Sequence, residues 1–190
     1  MNITVYGSAS DEINKEYIKE GEMIGREIAG HGDSVVFGGG ATGMMGAVAR
    51  GFTEGRSDIS QQTDQMLIGV APDVFDVDGA LYDQCDEFLR PDTMRERKRI
   101  MEDKADVFLI TPGGIGTLDE FFEILVLTEI GHQKKPIILY NMQDYYKDVI
   151  GLIDNMIENG FLAPEKRNLF GIVNKPAELF DILESLQYNQ

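Results

Sequence analysis

Thr111-Pro112-Gly113-Gly114-Ile115-Gly116-Thr117-Leu118-Asp119-Glu120 follows directly on the apolar run Val107-Phe108-Leu109-Ile110. The four-residue run reads as a buried strand, and the apolar residues from Leu118 onward read as a helix. Three glycines separate the two. Glycine lets the backbone come close to an anion, and the first N–H groups of a helix lack intrahelical partners, so the turn suits a phosphate. A carboxylate in that first turn would repel a phosphate it faced. Glu120 is therefore expected to address another part of the same ligand, such as a sugar. The spacing excludes two common phosphate loops: no lysine follows Gly116, as a Walker A loop requires, and the last glycine of Gly-x-Gly-x-x-Gly is missing.

Outward from this turn, short apolar runs alternate with helical periods, the pattern of a parallel sheet covered by helices. Strands are predicted at Ile3 to Tyr6, Ser34 to Phe37, Met66 to Val70, Cys85 to Leu89, Asp106 to Ile110, Pro136 to Tyr140 and Gly171 to Val173. Helices are predicted from Ile13 to Gly30, Met44 to about Phe52, Met94 to about Lys104, Leu118 to Ile130, through Ile150 to Ile157, and from Ala177 to Leu186. No linker or repeat interrupts the series, so residues 1–190 are expected to form one domain. The polar stretch from Glu54 to Gln65 reads as an exposed loop, with a lid over the site as the lesser alternative.

In an open α/β sheet the ligand lies beyond the C-terminal ends of the strands. Three loops on that rim have the right chemistry: Gly7-Ser8-Ala9-Ser10, the stretch from Gly38 to Gly43 that includes Gly39 and Gly40, and Gly113 to Thr117 with Gly114 and Gly116. Together they point to a nucleotide-like small molecule.

Composition narrows the classes. With 43% apolar and 26% charged residues in 190, the chain can bury a full core without disulfides or metal. Its one cysteine, Cys85, is expected to be a small packed residue. No apolar run approaches the ~20 residues of a membrane span, and no leader pattern opens the chain, so a cytoplasmic protein is expected. Against 33 acidic residues stand 17 basic ones, and the net charge of −16 disfavours nucleic-acid polymers and anionic membranes. A small anion needs local cations. Those are densest at Arg95-Glu96-Arg97-Lys98-Arg99, where Met94, Arg97 or Lys98, and Met101 share a helix face.

Neither His31 nor His132 has a ligand-spaced partner, and no Gly-x-Ser-x-Gly elbow is present, so no metal and no cofactor is expected. Chemistry is left to carboxylate, guanidinium, hydroxyl and backbone groups. One carboxylate beside cations and a phosphate cradle suits cleavage of a nucleotide's glycosidic bond, where positive charge develops on the ribose. Asp119 is the alternative acidic residue; successive helical residues turn by about 100°, so the two are not expected to face the site together.

At this point Pro112-Gly113-Gly114-Ile115-Gly116-Thr117-Leu118-Asp119-Glu120 and Met94-Arg95-Glu96-Arg97-Lys98 carry a resemblance. They look like the PGGxGTxxE and M-x-E-R-K motifs of the Lonely Guy (LOG) family of cytokinin riboside 5′-monophosphate phosphoribohydrolases. The family's bacterial members long carried the label "possible lysine decarboxylase". The resemblance implies a Rossmann-like, three-layer α/β/α fold with a mainly parallel sheet and a homodimer. It further implies Arg97 and Glu120 as the catalytic pair, and a phosphate held at Gly114, Gly116 and Thr117. Further ligand contacts are expected from Gly7, Ser8, Gly39, Gly40, Met94, Lys98 and Gly113. The implied reaction is hydrolysis of adenosine 5′-monophosphate, or an N6-modified form, to free base and ribose 5-phosphate. Ala9 stands where the family often has a serine, and the stretch from Glu54 to Gln65 looks longer than usual; both bear on base preference.

A nucleotide-binding module without turnover is the competing reading, since fold alone does not define activity. Lysine decarboxylation would ordinarily need pyridoxal phosphate on a Schiff-base lysine, and Lys98, the one lysine placed near the site, lies in a cluster better suited to an anion. Independently of the resemblance, the residues Leu118, Phe121, Phe122, Ile124, Leu125, Val126, Leu127 and Ile130 make their helix apolar almost all round, which predicts a second buried face and a partner subunit.

Overall fold

Strands of three to five mostly apolar residues have no face to spare for water, so helices must cover the sheet on both sides. The computed structural model describes residues 1–57, 64–77 and 79–188. Among these, strand and helix alternate except where β4 follows β3: β1 (Asn2–Tyr6), α1 (Lys15–Gly30), β2 (Ser34–Phe37), α2 (Gly43–Ser57), β3 (Leu67–Val70), β4 (Glu87–Leu89), α3 (Met94–Lys104), β5 (Val107–Ile110), α4 (Ile115–Glu129), β6 (Ile137–Tyr140), α5 (Lys147–Glu158), β7 (Gly171–Val173) and α6 (Pro176–Tyr188). The strands form one sheet in the order β4-β3-β2-β1-β5-β6-β7, every pairing parallel. Ile3 sits opposite Val35 of β2 on one side and Val107 of β5 on the other.

Alternation along each strand divides the core into two. Ile3, Val5, Val35 and Phe37 pack with Ile24 and Ile28 of α1, Phe52 of α2 and Leu183 of α6. On the opposite face Tyr6, Val36 and Phe108 pack with Met101 of α3, Phe121 and Ile124 of α4 and Ile153 of α5. The result is the three-layer α/β/α fold implied by the resemblance. Thr4, a buried polar residue of the central strand, donates its hydroxyl to the Met101 carbonyl at 3.1 Å.

The crossing of α1 and α2 depends on glycine at the contact. A Cβ on Gly25 would lie 2.1 Å from the Val48 carbonyl oxygen, and one on Gly51 would lie 1.9 Å from that of Glu22. Backbone meets backbone there. This close seat fixes α2 against the sheet, and with it the glycine loop that precedes α2.

Most boundaries lie within a residue or two of the sequence expectation, and two shift further. α4 opens at Ile115, three residues before Leu118, because Ile115 points outward at 89% exposed and so leaves no mark in the apolar period. α2 runs on to Ser57, so the loop predicted from Glu54 begins as helix. The sequence turns polar there because the helix meets solvent: Glu54 pairs with Arg26 at 2.6 Å, and Ser57 donates to the Thr53 carbonyl. Residues 58–63 of that expected loop lie outside the described ones. Gln65 donates to the Ala29 carbonyl at 2.6 Å, at the end of the sheet where strands begin. The described parts of the stretch therefore sit at the edge opposite the glycine loops, which overturns the lid reading for them.

Substituting Gly25→Ala is expected to destabilise the protein by about 3 kcal/mol, the upper range for overpacking, since carbonyls cannot step aside as side chains can. Gly151, within α5, has open space around the corresponding position. Gly151→Ala is expected to stabilise by about 0.5–1 kcal/mol. Urea unfolding of both variants checks the pair.

Candidate active site

The chain reverses direction across the sheet at β1, which is flanked by β2 on one side and β5 on the other. A crevice opens at such a switch point beyond the strand ends. Here it is a cavity of about 580 Å³ whose walls include Gly7, Ser8 and Ala9 after β1, Gly38 and Gly40 after β2, and Gly114, Gly116 and Thr117 after β5. Ser8 ties the three loops together. Its N–H donates to the Pro112 carbonyl at 3.1 Å, and its own carbonyl accepts from the Met45 N–H at 3.1 Å.

Gly114 caps α4 in an extended conformation. Its carbonyl accepts the Leu118 N–H at 3.0 Å, so the N–H groups of Ile115, Gly116 and Thr117 belong to the unpaired first turn. Gly114 and Gly116 are exposed while Thr117 is buried. The same helix turns Glu120 inward, one turn further along.

Glu120 meets Arg97 there. The guanidinium Nη1 lies 2.6 Å from Glu120 Oε1, and Nε donates to the Val70 carbonyl at the end of β3 at 3.0 Å. Both side chains are about nine-tenths buried. Room for the guanidinium comes from Gly38: a Cβ there would stand 2.1 Å from Arg97 Nη2. Burial holds the Glu120 carboxyl above the ordinary value of 4.5, and the adjacent Arg97 charge opposes that rise. The hydroxyl of Tyr6 is also pushed up, first by burial and then by the Glu120 charge.

The other expected residues divide by position. Met94, half-exposed, and Lys98 line the cavity from α3. Lys98 is bonded to Asp119 at 3.0 Å and is also paired with Glu123, so its charge is already answered by two carboxylates. Asp119 shares the wall with Glu120, contrary to the helical expectation, because it leans to the rim on Lys98 while Glu120 goes inward. Gly39 lies beneath the Phe88 ring, and Gly113 lies behind Thr117; neither forms part of the wall. Cys85 is half-buried with its thiol pushed up to about 12, chiefly by burial. Among the described residues no group of histidine, cysteine, aspartate and glutamate gathers to hold a metal ion, and no helix is long and apolar enough to cross a membrane.

One wall was missed in the sequence. Val74, Phe75 and Val77 are largely exposed, yet with Leu81 they line the cavity from the segment after β3. Arg90 holds that segment by pairing with Asp73 at 2.9 Å and Asp76 at 2.7 Å. The signal was available: three apolar residues in an irregular stretch following a strand, on the same rim as the glycine loops.

A doubly flanked central strand, glycine loops on one rim and a buried arginine–glutamate pair between them mark a Rossmann-like protein with a candidate small-molecule site at the switch point. The chain belongs to the family described as "Possible lysine decarboxylase", which it matches over residues 45–183, the family that includes the LOG phosphoribohydrolases. The cytokinin riboside 5′-monophosphate phosphoribohydrolase of Mycobacterium tuberculosis is 32% identical over 162 residues, 85% of this chain and 82% of that protein. The enzyme of the same name from Rhodococcoides fascians is 30% identical, covering 88% of this chain and 81% of its own. In fold, the chain is similar to the molybdenum cofactor carrier protein of Chlamydomonas reinhardtii, with a TM-score of 0.70 at 19% identity over 98% of each chain.

Gly38→Ala is expected to break the Arg97–Glu120 contact and cost about 3 kcal/mol, as loss of one partner from a buried pair does. A Cβ on Gly40 would approach the movable end of Met45, at 3.3 Å, and otherwise meet only ordinary contact with the Ala9 Cβ at 3.8 Å. Gly40→Ala should therefore cost less than about 1 kcal/mol, and comparing the two unfolding curves tests the assignment.

Proposed function

We propose that the protein is a phosphoribohydrolase that cleaves the N-glycosidic bond of a purine nucleoside 5′-monophosphate, releasing free base and ribose 5-phosphate. The observation that carries this reading is the Arg97–Glu120 pair, buried on the cavity wall one helical turn from the unpaired N–H groups of α4. Family membership and the names of the relatives support it. The phosphate is held by Gly114, Gly116 and Thr117. From there the ribose reaches Glu120, whose negative charge stabilises the oxocarbenium character developing at C1′ and orients the attacking water. Arg97 keeps Glu120 ionised despite its burial and fixes its direction. The base lies toward Val74, Phe75, Val77, Leu81 and Met94, an apolar end suited to adenine carrying an apolar N6 substituent.

Incubation with a panel of nucleoside monophosphates, followed by chromatography of the free bases, tests the reading. Adenosine 5′-monophosphate and its N6-isopentenyl form are expected to yield base and ribose 5-phosphate, the latter substrate with the lower KM. Binding of both without release of base would point instead to a carrier or sensor. Glu120→Gln is expected to lower kcat by about 100-fold or more while nucleotide still binds.

The pH profile follows from the burial of Glu120. A carboxyl raised in the folded state favours its proton, so its contribution to stability is full at low pH and fades as pH rises through the raised value. Catalysis needs the opposite, ionised form. The acid limb of kcat/KM is therefore expected above pH 4.5, the ordinary glutamate value. Arg97→Lys should move it higher, because lysine gives up the guanidinium's paired hydrogen bonds to Val70 and Glu120. A limb at or below the ordinary value would remove Glu120 from this role.

A homodimer completes the reading. Ile115 and Val126 of α4, Ile130 just after it, Leu152 of α5 and Phe161 are all exposed. Light scattering at micromolar concentration is expected to give twice the chain's 21.2 kDa, and Val126→Glu with Ile130→Glu to give the single chain.

A further inference from the structure

Three consecutive carbonyls of the glycine turn are each held by a different donor. The Tyr146 hydroxyl donates to the Thr111 carbonyl at 2.6 Å, the Ser8 N–H to that of Pro112 at 3.1 Å, and the Tyr145 hydroxyl to that of Gly113 at 2.8 Å. Carbonyl oxygens facing an anion would repel it, and the peptide between Gly113 and Gly114, flanked by residues without a Cβ, is the easiest in the loop to turn over. A donor fixed on the Gly113 oxygen opposes that turn.

The two tyrosines arrive by an unusual route. Between β6 and α5, Gln143 and Asp144 both lie in the left-handed region, at φ 51° and 59°, a conformation that side chains other than glycine seldom take. Asn141 holds the turn: its Oδ1 accepts the Tyr146 N–H at 2.8 Å and its Nδ2 donates to Asn174 at 3.0 Å. Gln143 is tied to Glu16 of α1 at 2.9 Å, and the Tyr145 ring packs edge-on against Tyr17 and against Tyr146. A strained turn tied down from several directions is one the surrounding structure over-determines.

We propose that Tyr145 and Tyr146 are positioning residues, presented by this left-handed turn, that pin the Thr111 and Gly113 carbonyls so that the N–H groups of the following helix turn remain aimed at the phosphate. The proposal rests on the assignment of phosphate to Gly114, Gly116 and Thr117. Tyr145 touches the back of the loop and acts through it. Its loss therefore weakens the phosphate end of the ligand and spares the base end, which sits across the cavity.

The experiment is calorimetric titration of the full chain and of Tyr145→Phe and Tyr146→Phe with two probes, ribose 5-phosphate and adenine, alongside melting curves. Tyr145→Phe is expected to weaken ribose 5-phosphate by roughly tenfold, the loss of one hydrogen bond, with adenine unchanged within about twofold and melting little altered. Tyr146→Phe is expected to show the same selectivity with a lower melting temperature, since its hydroxyl is buried. Either soluble variant decides the matter. Equal weakening of both probes, or none, overturns the positioning role. Because binding is read directly, a wild-type protein that binds ribose 5-phosphate but cleaves no nucleotide sinks the enzymatic reading and leaves this one standing; one that binds no ribose 5-phosphate sinks both.

Discussion

Arg97 and Glu120 come from different helices, 23 residues apart, and meet at 2.6 Å where neither has much access to water. Two charges brought this close inside a protein stay charged only if their surroundings are arranged for it, because desolvation rivals their attraction. Much of the site can be read as that arrangement. β3 offers its last carbonyl to the guanidinium, Gly38 leaves the space it occupies, and β5 delivers α4 at the angle that turns Glu120 inward. The loops of β2, β3 and β5 are thus committed to one contact. Moving any of them would strand a buried charge.

Electrostatics beyond the pair are economical. In a chain of net charge −16, Lys98 on the cavity wall is already matched by Asp119 and Glu123, and Arg90 at the rim by Asp73 and Asp76. On the proposed reading, an anion in this site would be met chiefly by backbone N–H groups and a helix dipole. Those donors do not titrate and do not wander, which places the burden of recognition on the shape of the loop.

The sheet, the helices and the three glycine loops were legible in the sequence, since apolar runs of strand length, helical periods and glycine at strand ends each have a local cause. The pairing of Arg97 with Glu120 was legible only through the family's motifs; the residues alone left Arg97 and Lys98, and Asp119 and Glu120, as alternatives. What separates them is tertiary: the carbonyl of Val70 and the absent side chain of Gly38 belong to other parts of the chain. Val74, Phe75 and Val77 went unread because apolar residues in an irregular segment match no period. Tyr145 and Tyr146 went unread because their partners are carbonyls more than 30 residues away. Glu54 to Ser57 read as loop for a converse reason: their polarity marks the wet end of a helix.

The central strand has a further consequence, for the order in which the molecule can be made. β1 pairs with β2, about thirty residues on, but its other edge waits for β5, with Ile3 opposite Val107. A chain emerging from the ribosome at its N-terminus can close β2, β1 and the glycine-seated helices α1 and α2 early. Until residues beyond Ile110 follow, Ile3 and Val5 stand on an unpaired edge, open to association with other chains. The cavity, bounded by loops from both sides of β1, comes into being at the moment that edge is sealed.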